Sequence, residues 1–328
     1  MSFVNSRRVL CQAAMAAVAG LSALGAQAQS YPSKPIQFVV PFAAGGAADV
    51  LARLWGDYVG KSMGTTVVID NRAGANGTIG AAFAARQPAD GYTLFYGGIS
   101  TLVFNKYTYR NLQYNPDKDF APVTLLANVP LIMIANPKSG VGNFSEFVAK
   151  AKASPGNFKF GSAGLGNSTH MFVELTGERF GLDLLHVPYK GMSPATNDLL
   201  GGQLDFVVDV ATSTVGNVSM GKVKPLVQYA AKRLPQFPEV PTIGEVGFPE
   251  FPASAWYSLM VPTGTPQAIV DRLAAETQKF WADPVVRAKL DAQMFEAVPN
   301  GATALTGWMN DANKTWGPLI KKLGVKND

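Results

Sequence analysis

The chain has 328 residues, 47% of them hydrophobic and 16% charged, with a formal net charge of +5 and a single cysteine. That balance excludes a disordered chain, and one cysteine excludes a disulfide framework. The positive charges are scattered (Lys34, Arg53, Lys61, Arg72, Lys106) and not run together, so no nucleic-acid partner is expected.

The first residues read as a secretory signal. Arg7 and Arg8 form a positive region, Val9 to Leu24 is a short alanine-rich apolar run, and Ala26-Gln27-Ala28 is a small-x-small cleavage site. Residues 1–28 are therefore expected to be removed on export to the periplasm, leaving Gln29 as the first residue of the mature chain. Ser6-Arg7-Arg8 hints at a twin-arginine route, but the apolar residue expected after the pair is imperfect, which favours the general secretory one. Cys11 lies inside the signal, so the mature chain is expected to be cysteine-less, with a net charge of +3 once Arg7 and Arg8 leave. Its stability has to come from burial, for which about 300 residues suffice, arranged as two domains. No later apolar run is long enough to span a bilayer.

From Ile36 onward strands and helices alternate. Val39 and Val40 belong to a buried strand that Pro41 ends, because proline has no N–H for the ladder. Ala43, Ala44, Gly45, Gly46 and Ala47 then form a turn almost without side chains, and a helix follows from Ala47 to about Lys61. Val67 to Asp70 is a second strand, Ile79 to Arg86 a helix and Leu94 to Tyr96 a third strand, the βαβ rhythm of a mostly parallel sheet covered on both faces. The strands Val123 to Leu126 and Leu131 to Ala135 flank Asn128-Val129-Pro130, read as a crossover into a second lobe. That lobe repeats the pattern, with strands Lys159 to Ser162, Leu184 to Tyr189, Leu204 to Val210 and Pro225 to Tyr229. Ala255 to Val261 leads back, near a second crossover at Ala253 to Trp256, and the helices Gln267 to Trp281, Pro284 to Gln293 and Ala302 to Leu323 are expected to pack on the first lobe. The expected organisation is α/β, with lobe 1 over 29–128 and 255–328 and lobe 2 over 129–254.

Strand, glycine loop and helix thus occur twice, once in each lobe. In VVPFAAGGAAD (Val39 to Asp49) bare backbone N–H groups and a helix N-terminus form an anion cradle without a basic residue. FGSAGLGNSTH (Phe160 to His170) repeats the design and adds the side chains of Ser162, Asn167, Ser168 and Thr169 as donors. In open α/β sheets such loops lie at the carboxyl ends of strands, where ligands bind. Two lobes facing each other with these ends enclose a cleft between two cradles, and a ligand satisfies both when the lobes close by bending at the crossovers.

PFAAGGAADVLAR, IDNRAGANGTIG, ADGYTL, KDFAPVTLLA, GSAGLGNSTH, VPYKG, ATNDLLGGQLD and VPTIGEVGFP stand in the order and spacing of the extracytoplasmic solute-binding proteins of the tripartite tricarboxylate transporter family, also called the Bordetella uptake gene family. The chain resembles that family over its whole mature length. The resemblance implies a two-lobe periplasmic-binding fold that holds a small carboxylate by backbone N–H groups and hydroxyls, with water bridging to the first lobe. It places Phe42, Ala43, Ala44, Gly45, Gly46 and Ala47 in the first-lobe loop and Ser162, Ala163, Gly164, Asn167, Ser168 and Thr169 in the second-lobe site. Asp209, in VVDV, matches the family's acidic position facing the cleft. Ala48 stands where a hydroxyl residue is frequent and Asn167 where threonine is frequent, so the ligand is not fixed by analogy. By itself Asp49 also reads as a helix-start residue, and Asp209 as the cap of a strand end.

Enzyme signatures fare poorly, and no catalytic, metal or cofactor site is expected. Gly56-Asp57-Tyr58-Val59-Gly60-Lys61-Ser62 resembles a P-loop but is one residue short between its glycines and lies within a helix. His170 and Glu174 share a helical face and read as a hydrogen-bonded pair, His186 falls on a strand, and no GxSxG elbow is present. The sequence points to a monomeric periplasmic binding protein for a small aliphatic or aromatic mono- or dicarboxylate. Its expected partners are the large and small membrane subunits of a tripartite tricarboxylate-type transporter. A ligand-sensing subunit of a signalling system is the alternative.

Overall fold

The computed structural model of the protein describes residues 31–249, 255–298 and 301–327. The signal segment, its cleavage site and Cys11 lie outside them, as do Ala253 and Ser254 of the expected second crossover. Two five-stranded sheets form the frame. In chain order the strands are β1 (Ile36–Val40), β2 (Val67–Asn71), β3 (Thr93–Gly98), β4 (Phe120–Val129), β5 (Leu131–Ala135), β6 (Lys159–Ser162), β7 (Leu185–Pro188), β8 (Phe206–Val210), β9 (Lys224–Tyr229) and β10 (Ala255–Pro262). The first sheet has the order β2-β1-β3-β10-β4 and the second β7-β6-β8-β5-β9, so the two are built alike. Each sheet is mixed: four strands run one way, and the fourth in order is reversed. The reversed strands are β10 and β5, the two that follow a crossing between sheets. β10 pairs along β4 from Ala255 opposite Val129 to Pro262 opposite Phe120, and β5 pairs along β8 from Leu131 opposite Val210 to Ala135 opposite Phe206.

The helices form because their apolar residues recur on one face and turn residues end them. In α1 (Ala47–Met63), Leu51, Ala52, Trp55 and Val59 are buried, and left-handed Gly64 closes the last turn on the carbonyls of Gly60 and Lys61. The Trp55 ring lies 5.1 Å from that of Phe38, and its indole N–H donates to Thr277 Oγ1 at 2.9 Å. Gly60 sits so close to the following turn that a Cβ there would stand 2.9 Å from the Thr65 carbonyl. The P-loop look-alike is therefore a packing surface inside a helix. The remaining helices are α2 (Thr78–Ala85), α3 (Asn105–Thr108), α4 (Phe144–Ala153), α5 (Ser168–Phe180), α6 (Met192–Gly201), α7 (Ala211–Ser219), α8 (Gln267–Ala282), α9 (Pro284–Ala292) and α10 (Ala302–Leu323). A π-helical turn, Ser100–Phe104, runs into α3; the apolar run that forms it carries no periodic signal in the sequence.

Three apolar clusters hold these layers. One lies under α1 and α8 against the first sheet, around Phe38, Trp55, Leu259 and Phe280. A second lies under α6, around Ile132, Leu199 and Val207. The third belongs to both sheets, joining Val39, Phe95 and Phe104 to Phe160, Phe172 and Phe206. Its keystone is Trp316 of α10, fully buried, stacked on Phe172 of α5 at 5.3 Å and edge-on to Phe104 at 4.9 Å. The last helix thus packs on the first sheet and also grips α5 beside the second. Lys322 of α10 reaches Glu178 of α5 at 2.6 Å, an exposed pair that contributes little beside the buried rings.

Truncating a fully buried tryptophan typically costs about 3–5 kcal/mol. Trp316→Ala is expected to lose that much stability in urea unfolding and to separate the two sheets' unfolding into distinct steps. A near-neutral effect would show that α10 is not what couples them.

Candidate functional site

The carboxyl ends of β1, β6, β7 and β8 face a common cleft of about 790 Å³. From the first sheet it is lined by Phe42 to Ala48, by Gly98 to Ser100 after β3, and by Trp256 and Tyr257 at the start of β10. From the second it is lined by Ala163, Asn167, Ser168 and Thr169, by Lys190 to Pro194 after β7, and by Asp209, Val210, Thr212 and Ser213 where β8 runs into α7. Of the residues singled out in the sequence, Phe42, Ala43, Ala44, Gly45, Gly46, Ala47, Ala163, Asn167, Ser168, Thr169 and Asp209 come together here. Ser162 and Gly164 do not line the cleft.

On the first-lobe side the loop after β1 is held from below. Asp49, buried in the first turn of α1, accepts the Gly45 N–H at 2.9 Å and the Arg53 guanidinium at 2.9 Å, and its other oxygen accepts the Asn71 amide at 3.0 Å. Burial alone would raise the Asp49 carboxyl pKa, but Arg53, the Gly45 amide and Asn71 together hold it below its ordinary value. Asp49 is a helix-start residue and is absent from the cleft wall. The amides of Ala47 and Ala48, in the first turn of α1, have no acceptor within the helix and lie at the cleft.

On the second-lobe side the loop between β6 and α5 uses most of its hydrogen-bonding capacity on itself. Ser162, fully buried, bonds through Oγ to the carbonyl and amide of Gly164 and to His186 Nε2 at 2.6 Å. Thr169 Oγ1 accepts the Ala163 N–H at 2.9 Å, His170 Nδ1 accepts the Gly166 N–H at 3.0 Å, and the Asn167 amide donates to the Gly164 carbonyl at 3.2 Å. Asn167 caps α5, its Oδ1 accepting the Thr169 N–H at 3.1 Å. Because Nδ1 of His170 accepts, its proton is on Nε2, which faces Glu174 at 3.2 Å, so this pair is a hydrogen-bonded brace. His186 stacks on His170 at 3.8 Å, and burial together with its neighbour pushes its pKa down to about 3. Both histidines are thereby committed to the loop, and among the described residues no group of three or more His, Cys, Asp or Glu side chains could hold a metal.

What remains unspent faces the cleft. Among the described residues the Ser168 amide has no acceptor, and as donors the Ser168 and Thr169 hydroxyls make only long contacts of 3.3 Å to Asn167 Oδ1. Asn167 itself crosses to the other lobe, its Nδ2 donating to Asn76 Oδ1 at 3.1 Å, while Asn76 donates to the Gly166 carbonyl at 3.2 Å and to Asn105 at 3.0 Å. Ala75 and Asn76 hold left-handed backbone at φ 45° and 53° to make this reach. Gly166, at φ 74°, is where Thr108 and Asn327 approach, and a Cβ there would meet both at 3.0 Å. Contacts besides the crossovers therefore join the lobes at the loop.

Lys190, not among the residues singled out in the sequence, also lines the cleft beside the loop. Its place after β7, next to β6, was implied by the rule that ligands gather at strand carboxyl ends. Gln293, brought in from the C-terminal helices, carried no such signal. Asp209, near the end of β8, accepts its neighbour Val210's N–H at 2.7 Å and the Ser213 hydroxyl at 2.8 Å, and it also lines the cleft. Burial pushes its pKa up to about 6 against these two bonds, and its charge adds to the burial that raises Tyr257 to about 12.

Two mixed α/β sheets with a cleft at their carboxyl ends define the fold of periplasmic binding proteins, and solved members of that class superpose on the chain. The family model for the tripartite tricarboxylate transporter family receptor matches residues 51–325, and the chain belongs to that family. It is 34% identical to Protein BugT of Bordetella pertussis, over 94% of this chain and 95% of that one. Among solved structures it is similar to R. palustris Rpa4515 with adipate (31% identity, TM-score 0.84, 90% and 98% of the two chains). It is similar also to MatC from Rhodopseudomonas palustris with bound malate (32%, TM-score 0.79, 88% and 100%).

The raised pKa of Asp209 has a consequence for stability. The folded protein holds this proton more tightly than the unfolded chain, whose carboxyl titrates near 3.8. The cost of burying the ionised group is thus fully present above pH 6 and disappears as pH falls to 4, and for a shift of this size it is roughly 3 kcal/mol at most. Asp209→Asn is expected to be more stable than wild type at pH 8 and equal to it near pH 4, measured as urea midpoints; equal stability at pH 8 would contradict the burial of a charge here.

Proposed function

We propose that this chain is an exported periplasmic binding protein that captures a small organic carboxylate and delivers it to the membrane subunits of a tripartite tricarboxylate-type transporter. The observation that carries the reading is the second-lobe loop. Its internal bonds leave a chosen few donors, the Ser168 amide and the Ser168 and Thr169 hydroxyls, at the N-terminus of α5. An ionised carboxylate removed from water requires several such donors, and an aligned helix end favours its charge. The first-lobe loop supports the same reading from the opposite wall with bare backbone at the N-terminus of α1. Relatives solved with adipate and malate support a carboxylate as the ligand class. Family membership supports a membrane transporter as the recipient and the periplasm as the place of work. In this reading Phe42 to Ala47, Ala163, Asn167, Ser168, Thr169 and Asp209 surround the ligand, whereas Ser162 and Gly164 shape the loop from behind.

Hydrogen bonds to a charged group are worth about 1.5–3 kcal/mol, or roughly tenfold to a hundredfold in affinity. With the best ligand from a thermal-shift screen of carboxylates, Ser168→Ala is expected to weaken calorimetric binding about tenfold without changing the melting temperature. Thr169→Val is expected to weaken it and also to lower the melting temperature, because the Ala163 amide loses its acceptor. Unchanged affinity in both variants would remove this loop from the site.

A further inference from the structure

The charged side chains among the described residues lining the cleft are one cation and one anion, and the strand order sets them apart. Lys190 follows β7, the carboxylate loop follows β6 and Asp209 ends β8, and these strands are parallel neighbours in the order β7-β6-β8. At about 4.8 Å per strand the loop lies between them, with Lys190 one strand to one side and Asp209 one strand to the other. The rim of the second lobe is therefore polarised: the Lys190 ammonium at one end, the Asp209 carboxylate at the other, and the carboxylate loop between them.

Asp209 is built to face a donor. It is 6% exposed, and its oxygens accept from the Val210 N–H and the Ser213 hydroxyl. Two bonds leave about half of a carboxylate's four acceptor sites unused. No ion pair to Asp209 occurs among the described residues: Ser213 and Val210 account for its polar contacts, and the Tyr257 hydroxyl of β10 stands near enough to feel its charge. A ligand held at one end by the loop and extending toward β8 brings its other end to this carboxylate. A second carboxylate there would oppose a like charge in a poorly hydrated wall, whereas a hydroxyl or N–H would satisfy an acceptor that burial has cut off from water.

We propose that Asp209 determines specificity: the cleft selects carboxylates that carry a hydrogen-bond donor, a hydroxyl, amine or amide N–H, at the end remote from the bound carboxylate, and it disfavours dicarboxylates. This rests on the carboxylate reading above and narrows it to hydroxy-, amino- and amido-acids.

The test is a set of matched series differing only at the far end, titrated calorimetrically at pH 7.5. Hexanoate, 6-hydroxyhexanoate and adipate form one series, and benzoate, 4-hydroxybenzoate and terephthalate another. In wild type the hydroxy acid is expected to bind at least tenfold more tightly than the dicarboxylate of its series. In Asp209→Asn, whose amide donates as well as accepts, that ratio is expected to fall below threefold. A dicarboxylate that binds wild type as tightly as its hydroxy partner, or a ratio that survives the substitution, overturns the inference while leaving the carboxylate reading intact. The wild-type ranking stands by itself should the variant fold poorly. If neither hydroxy acid binds, the inference is overturned, while the carboxylate reading is decided separately by the screen and the loop variants above.

Discussion

The hydrogen bonds that the 162–170 segment makes to itself are the constraint on which the site depends. A glycine-rich loop offers a surplus of backbone donors, and left alone it would present them in many conformations. Here the Ser162 hydroxyl, the Thr169 hydroxyl, the His170 imidazole and the Asn167 side chain each take one, so the loop has a single shape and a small remainder of free donors. Preorganisation of this kind lowers the entropy a ligand must overcome on binding. The stacked histidines serve the same end from below, because burial keeps His186 neutral and the acceptor role of His170 fixes its tautomer.

The loop is also fixed to the other lobe. Asn76 reaches Asn167 and the Gly166 carbonyl, Asn327 reaches the Leu165 carbonyl at 3.1 Å, and Trp316 stacks behind on Phe172. These contacts bind one flank of the second lobe to the first through a shared apolar core. The opposite flank, with Lys190 and the start of α6, carries no comparable bond to the first lobe among the described residues. The carboxylate loop thus lies beside the asparagine and tryptophan contacts that join the lobes.

Much of this was legible in the sequence, and the reasons are physical. Strand, glycine loop and helix leave strong local marks, so both loops, with Ala43 to Ala47 and Asn167 to Thr169, were legible from spacing and side-chain size, while Phe42 came only with the family resemblance. The sheets' repetition was legible for the same reason, and the reversed strands follow from the chain returning between lobes. Long-range side-chain bonds leave no such mark. Nothing local says that Asn76 meets Asn167 across 91 positions, that Ser162 turns inward to His186, or that Trp316 belongs to two lobes. The departure at Asn167, noted only as an unusual residue, becomes intelligible once its partner is seen, since threonine in its place would lack the amide that reaches Asn76.

The central claim is that the loop's internal bonds are permanent and that the ligand uses only what they leave over. Amide proton shifts of the nitrogen-15-labelled protein, recorded while a tightly bound carboxylate is added, test it directly. The account predicts a pronounced downfield shift for the Ser168 amide, with the Ala163, Gly164 and Gly166 amides nearly unmoved because their acceptors are already in place. Large shifts at Ala163 and Gly166 with Ser168 unaffected would contradict it, since the ligand would then be displacing the bonds that are held here to shape the site.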